Sequence, residues 1–279
     1  MKAAVVQLHI EENLEENLAN VLKLTEDTAN AGADLIVLPE AIDYHGEKDG
    51  VAAIKSDIPG PVTDRLADAA KRHGIWLLAG SIHENIPGSD HTYNTSVLYD
   101  RDGVEQARYR KIHLYDVQIP GQVDAIESAT IAPGTDIVTA DIEGHTAGLT
   151  ICYDLRFPEL YRALANEGAE ILFMPAAFTL FTGKDHWEVL IRARAIENQA
   201  YVLASGQQGK DKLGRTTYGR SMIVDPWGTV IAAAPDGPGF AIAELDFARL
   251  HDIRQQLPSL ANRRLQTAQP TQELMASAD

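Results

Sequence analysis

Thr146-Ala-Gly-Leu-Thr-Ile-Cys-Tyr-Asp-Leu-Arg-Phe-Pro-Glu159 decides how this chain folds. The run up to Ile151 reads as a buried strand, Cys152 to Phe157 as a sharp turn, and Pro158 as the opening of a helix through Glu167. Proline suits that first helical position because its missing N–H would have no partner there. The same alternation continues toward the C-terminus. Strands are expected over Glu170–Met174, Ala200–Ser205 and Phe240–Leu245, and helices over His186–Asn198 and Phe247–Gln256. A hairpin joins Ser221–Asp225 to Thr229–Ala233 through Pro226-Trp-Gly228. Toward the N-terminus the pattern predicts strands at Ala3–Leu8, Asp34–Leu38 and Ile75–Gly80. A helix carrying Leu14, Leu18, Val21 and Leu22 is closed by Gly32, and a second helix covers Pro61–His73. Asn94–Asp100 and Gln106–Arg110 form a hairpin through Asp102-Gly103, Ile137–Ile142 is another strand, and Ile119–Thr135 reads as irregular. About a dozen strands, some joined by helices and some by hairpins, predict an α/β protein with mixed sheets covered by helices.

No Pro/Gly/Ser linker or repeat divides the chain, so one domain over residues 1–265 is expected, followed by a polar tail at 266–279. The 279 residues carry a formal charge of −16 and are 45% hydrophobic. That hydrophobic fraction excludes wholesale disorder, and the acidic balance argues against a nucleic-acid surface, which needs clustered cations. The longest apolar stretch, Ile171 to Phe178, contains Pro175 and is far short of the ~20 residues of a spanning helix, so no membrane partner is expected. A lone cysteine excludes an intramolecular disulfide and favours the cytoplasm.

That cysteine is also the only thiol available for chemistry. Cys152 lies at the carboxyl end of a strand, where open α/β sheets place ligands, and the helix start beside it would favour a thiolate. The bland alternative is a buried small hydrophobe. Glu40, after Leu35-Ile-Val-Leu-Pro39, ends an expected interior strand, and Lys111 follows the strand ending at Arg110. Each alone reads as a solvated turn charge. Together they supply a base, an oxyanion-stabilising cation and a nucleophile from three separate strand ends. His113 is the nearest histidine rival for the base, and its plain role is support of the cleft. Asp154 and Arg156 are expected to pair locally, and Arg192, Arg194 and Glu197 to form an ionic network between helices. The histidines lack metal-ligand spacing and no Gly-rich phosphate loop occurs, so neither a metal nor a cofactor is expected.

Five spaced motifs together resemble the carbon–nitrogen hydrolase (nitrilase) superfamily over nearly the whole chain. They are Leu38-Pro-Glu40, Tyr109-Arg-Lys-Ile-His-Leu114, Gly148-Leu-Thr-Ile-Cys-Tyr-Asp-Leu-Arg-Phe-Pro-Glu159, His186-Trp-Glu188 with Arg192 to Asn198, and Gly219 to Gly228. The resemblance implies an α-β-β-α sandwich of two mixed sheets between helices, and a homodimer or higher homo-oligomer. It implies Glu40 as general base, Lys111 as oxyanion stabiliser and Cys152 as nucleophile. It further implies Glu127 as a second glutamate positioning Lys111 and substrate, and the Tyr153 N–H as an oxyanion donor. A glutamate, which ordinarily titrates near ~4.3, is a weak base for a thiol near ~8.5, so burial is expected to raise Glu40, with Lys111 opposing.

Within the superfamily, the run Cys152-Tyr-Asp-Leu-Arg-Phe-Pro-Glu159 and the segments Arg110–Gly121 and Phe178–Trp187 look most like the branch holding ω-amidase and deaminated glutathione amidase. That likeness implies hydrolysis of a small-molecule amide, 2-oxoglutaramate or deaminated glutathione, to an acid and ammonia, with Arg156, Lys184 or His186 near a substrate carboxylate. The alternatives are an N-carbamoyl amino-acid amidohydrolase or a nitrilase of the same superfamily. A non-catalytic binding protein on this fold would have lost a catalytic position, and none is lost.

Overall fold

The computed structural model describes residues 1–265. The tail expected at 266–279 lies outside the described residues. Two mixed sheets dominate. In the first, of seven strands, Lys2–Gln7 pairs antiparallel with Gly239–Glu244 and parallel with Leu35–Val37, which is parallel to Trp76–Leu78. Thr92–Tyr99 then runs antiparallel to Trp76–Leu78 and to Ile82–Asn85, and Glu105–Arg110 pairs with it too. In the second, of six strands, His145–Leu149, Ile171–Ala176 and Tyr201–Gly206 are parallel at the centre. Thr139–Ile142 flanks them on one side and the Met222–Val224/Val230–Ala233 hairpin on the other.

The period of two along each strand explains the layering. Ala3, Val5, Leu35, Val37 and Leu78 share one core with Leu149, Phe173 and Leu203 of the second sheet. Ala4, Val6, Ile36, Leu38 and Leu77 point the other way, onto Leu18 and Val21 of the helix Leu14–Asn30 and Leu66 and Ala70 of the helix Pro61–His73. On the far side, Leu160, Leu164, Trp187, Ile191 and Ala195 of the helices Pro158–Asn166 and Leu180–Asn198 cover the second sheet. The result is the helix–sheet–sheet–helix sandwich. Asn13 caps the first helix by accepting from the N–H groups of Glu15 and Glu16.

Several expected boundaries move, each for a physical reason. The helix expected at His186 starts at Leu180 and runs through Gly183, where the Tyr218 side chain packs: a Cβ there would meet the Tyr218 Cβ at 2.6 Å. The strand expected to end at Met174 continues through Pro175 to Ala176. Its neighbour's pairing stops at Phe173, so the proline's missing donor interrupts nothing on that side. The stretch expected to be irregular holds most of a two-stranded ribbon that begins just before it, Asp116–Ile119 with Val123–Ile126, turning at Pro120-Gly121. Ile82–Asn85, also unexpected, follows the Trp76–Leu78 strand along the same partner after a break at Ala79-Gly-Ser81.

Candidate active site

That break sets up the site. Gly80 has φ +61°, and a Cβ on it would lie 1.9 Å from the Pro39 carbonyl oxygen. Only glycine tolerates both the dihedral and the approach. Across it, Ser81 accepts the Ala41 N–H at 2.9 Å through Oγ and the Ile42 N–H at 2.9 Å through its carbonyl. Gln207 Nε2 donates to the Glu40 carbonyl at 2.7 Å and the Ala41 carbonyl at 3.3 Å. Glu40 is therefore held in a turn clamped from both sheets, and Ala41 accepts the left-handed φ of +49° that the turn demands.

Cys152 opens a short 3₁₀ turn, Cys152–Arg156, and also sits at φ +49°, a conformation that costs a non-glycine residue roughly 1–3 kcal/mol. Asp154, fully buried, holds it there. Its carboxylate accepts the Ile151 N–H at 2.8 Å, the Tyr109 hydroxyl at 2.7 Å, and the His113 backbone N–H and Nδ1 at 3.1 and 2.7 Å. The expected Asp154–Arg156 pair is thus corrected. Asp154 ties the cysteine turn to the loop carrying Lys111, while Arg156 lies over the Tyr153 and Phe178 rings and against His186. His113 has the supporting role, stacked on Phe157 at 3.7 Å. The expected inter-helix network is also corrected. Arg194 donates twice to the Leu155 carbonyl and once to Glu197 of its own helix, and Arg192 donates to the Gly228 carbonyl.

The predicted site residues converge. Lys111 Nζ donates to Glu40 Oε1 at 2.9 Å and to Glu127 Oε1 and Oε2 at 3.0 and 2.9 Å. Glu40 Oε2 accepts the Ala177 N–H at 2.8 Å, and Cys152 lines the same cavity as that carboxylate. Glu127 also accepts the Tyr115 N–H at 2.5 Å. The Tyr153 N–H, in the first turn of the 3₁₀ segment, has no protein acceptor among the described residues, as expected of a helix start. These groups line a cavity of ≈ 640 Å³.

Asn94 carries no motif that marks it in the sequence, yet it belongs to the site. Buried in the strand Thr92–Tyr99, its Nδ2 donates to Glu40 Oε1 at 2.9 Å and Glu127 Oε1 at 3.3 Å, bridging the two carboxylates that Lys111 also bridges. The one available signal is a carboxamide on the inner face of an expected strand. Of the cations expected near substrate, Lys184 lines the cavity; Arg156 and His186 do not, and Arg215, which was not expected, does.

The electrostatics resolve at Glu40 a balance between burial and Lys111 that the sequence leaves open, and reverse the thiolate expected at Cys152. Burial pushes the Glu40 carboxyl up, but Lys111's charge and the hydrogen bonds from Cys152, Lys111 and Ala177 outweigh it and hold it below the ordinary carboxylate value. Burial, with the Glu40 charge, pushes the Cys152 thiol well above its usual value, although Lys111 opposes this. Burial acts against the Lys111 ammonium, yet Glu127 and Glu40 drive it well up. The resting site is a carboxylate, an ammonium and a neutral thiol, rather than a raised glutamate facing a thiolate.

A two-sheet sandwich with a cysteine, a glutamate and a lysine at converging strand ends defines a hydrolase of carbon–nitrogen bonds, and the chain belongs to the carbon–nitrogen hydrolase family, whose pattern matches residues 2–255. It is 43% identical over 265 residues to a deaminated glutathione amidase from Synechocystis, covering 94% of this chain and 97% of the relative. It is 37% identical over 263 residues to omega-amidase NIT2 of Mus musculus, covering 94% and 95%. The crystal structure of the C. elegans NitFhit protein superposes with a TM-score of 0.89 at 38% identity, over 94% of this chain and 65% of that longer one. The enzyme class is therefore a hydrolase acting on carbon–nitrogen bonds other than peptide bonds.

Proposed function

We propose that this protein is a thiol amidase that converts the terminal carboxamide of a small 2-oxo acid to the acid and ammonia through a thioester on Cys152. The observation that carries the reading is the buried set in which Lys111 bridges Glu40 and Glu127 by hydrogen bonds, with Cys152 lining the same cavity. The Glu40 carboxylate takes the thiol proton as Sγ bonds to the amide carbon. The carbonyl electron pair moves to oxygen, where Lys111 Nζ and the Tyr153 N–H receive it; one such donor is typically worth ~3–4 kcal/mol of barrier. Collapse of the tetrahedral adduct breaks the C–N bond, and protonated Glu40 delivers its proton to departing ammonia. Water, deprotonated by Glu40, then attacks the thioester and returns the thiol. Proton transfer from a raised thiol to a depressed carboxylate is uphill at rest, so it is coupled to C–S bond formation rather than preceding it. Glu127 and Asn94 hold Lys111 and Glu40 in place.

The substrate reading, 2-oxoglutaramate or deaminated glutathione, draws on the two amidase relatives. We place the catalytic unit in residues 1–265 and the protein in the cytoplasm, the latter on its single thiol. A homodimer is proposed from an apolar surface. Val189 (66% exposed) and Ile196 (50%) lie on the helix Leu180–Asn198, and Trp227 (57%) stands on the turn that packs against Ile196. The test is ammonia release from 2-oxoglutaramate, deaminated glutathione, glutamine, simple amides, nitriles and N-carbamoyl amino acids, with Cys152→Ala as blank. Turnover of 2-oxo acid amides by the wild type alone is expected. Equal release by Cys152→Ala would sink the mechanism, and preferred nitrile or carbamoyl turnover would overturn the substrate.

A further inference from the structure

The sequence points to His113 and His186 near the cleft, yet the histidines that line the cavity are His83 and His45. His83 lies in the strand Ile82–Asn85, where its Cα partner across the antiparallel pair is Asn94. Paired residues project to the same face, so His83 stands beside the side chain that bridges Glu40 and Glu127. Asp43 grips it from behind. That residue is fully buried, and its two carboxylate oxygens accept the His83 backbone N–H at 2.7 Å and Nδ1 at 3.0 Å. Because a carboxylate only accepts, Nδ1 carries a proton and the other ring nitrogen, Nε2, is left for the cavity. No protein partner for Nε2 occurs among the described residues.

From this geometry we propose that His83, braced by Asp43, is a substrate-binding residue. Its Nε2–H donates to an anionic oxygen of the substrate remote from the scissile amide, and so selects amides that bear a carboxylate. This rests on the amidase reading and deepens it. A buried acid such as Asp43 is costly without a cationic partner, and the His83 imidazole is the side chain its oxygens contact. Burial opposes the imidazolium, but Asp43, with Glu127 and Glu40 beyond, holds it above the ordinary histidine value. His45, the other cavity histidine, is different: burial and Arg215 push it down to about 4, so it is neutral at pH 7. Arg215 is engaged by Asp211 at 2.6 Å and by the Gly46 carbonyl at 2.9 Å, and Lys184 is more than half exposed. His83 is thus the part-buried donor facing the cavity that the catalytic set does not use. A charge-assisted hydrogen bond made away from water is strong enough to discriminate between substrates.

The test compares succinamate with butanamide, which differ in the remote carboxylate. In His83→Gln, KM for succinamate should rise tenfold or more, while kcat on succinamate and both constants on butanamide stay within about twofold. Asp43→Asn should move the same constant in the same direction. Parallel losses on both amides would make the pair merely structural, and no loss on either would remove it from recognition; both overturn the proposal. Should neither variant fold, wild-type protein with ¹³C-labelled histidines answers the question. The His83 resonance, told from that of His45 by titrating at higher pH, must shift on adding succinate, and an unchanged His83 resonance overturns the proposal. If the wild type hydrolyses neither these amides nor any 2-oxo acid amide, the amidase reading itself fails, a result distinct from any of these.

Discussion

At the scale of single residues, the site is organised around one ammonium between two carboxylates. Lys111 is buried and bonded to Glu40 and Glu127 within 3.0 Å. Lys111→Ala therefore removes the charge that reconciles two acids, and is expected to cost about 3–5 kcal/mol of stability as well as turnover. Denaturant unfolding checks the first and ammonia release the second; full stability would mean that the acids need no cation. Glu40→Gln keeps the shape but not the base, and should lower kcat by about 10²–10⁴-fold with the fold intact. The shifts also set the pH profile. Glu40 lies below the ordinary carboxylate value and Cys152 well above the ordinary thiol value, so the resting protonation states persist between them. kcat/KM on an uncharged amide should be flat from about pH 5 to about pH 9. An acid limb near pH 6–7 would show that another group supplies the base.

At the scale of elements, the catalytic residues sit on separate strand ends that short polar clamps tie together. Asp154 joins the turn of Cys152 to the loop of Lys111 by four hydrogen bonds. Asp154→Asn would set an NH₂ against some of those donors, and a loss of about 2–4 kcal/mol is expected, with kcat falling more than KM rises. Tyr109→Phe, which deletes one of the four, should cost about 1 kcal/mol. Equal, small effects from both would mean that Asp154 is not the tie. These clamps mark the border of what the sequence makes legible. The strand ends at Glu40, Lys111 and Cys152 can be read because apolar runs stop at them. Asn94, Asp43 and His83 cannot, since their significance depends on strand register and on contacts across tens of residues. Asp154 invites pairing with Arg156 because the two are near in sequence, whereas Tyr109 and His113 arrive only through the fold. The first turns of the helix from Leu180 are hard to read because Gly183 is a poor helix former whose neighbour, Tyr218, belongs to a distant strand.

For the whole molecule, the sandwich brings the two sheets together so that carboxyl ends from both meet at the cavity. The sign of its pH stability follows from depressed acids and raised thiol and phenol groups. Burial pushes Glu40, Glu84, Glu170 and Asp211 up, but basic partners and hydrogen bonds overcome it and hold all four low. Their contribution is present above the unfolded value and is lost as pH falls through the folded one. Burial raises Cys152, Tyr109 and Tyr161, so theirs is present below the unfolded value and is lost as pH rises through the folded one. His45, held down to about 4, adds a loss as pH falls below the ordinary histidine value of 6.5, so thermal midpoints should be highest between about pH 7 and about pH 9 and fall on both sides; a maximum well below that range would contradict this. The apolar surface around Val189, Ile196 and Trp227 predicts a dimer by sedimentation, and Val189→Asp with Trp227→Asp should yield monomers. Every step of the proposed chemistry depends on Cys152 carrying the acyl group. Intact-mass analysis after rapid acid quench with a 2-oxo acid amide should show the protein heavier by one acyl group, mapped to the Cys152 peptide and absent from Cys152→Ala. Turnover with no adduct at any quench time, and undiminished in Cys152→Ala, would refute it.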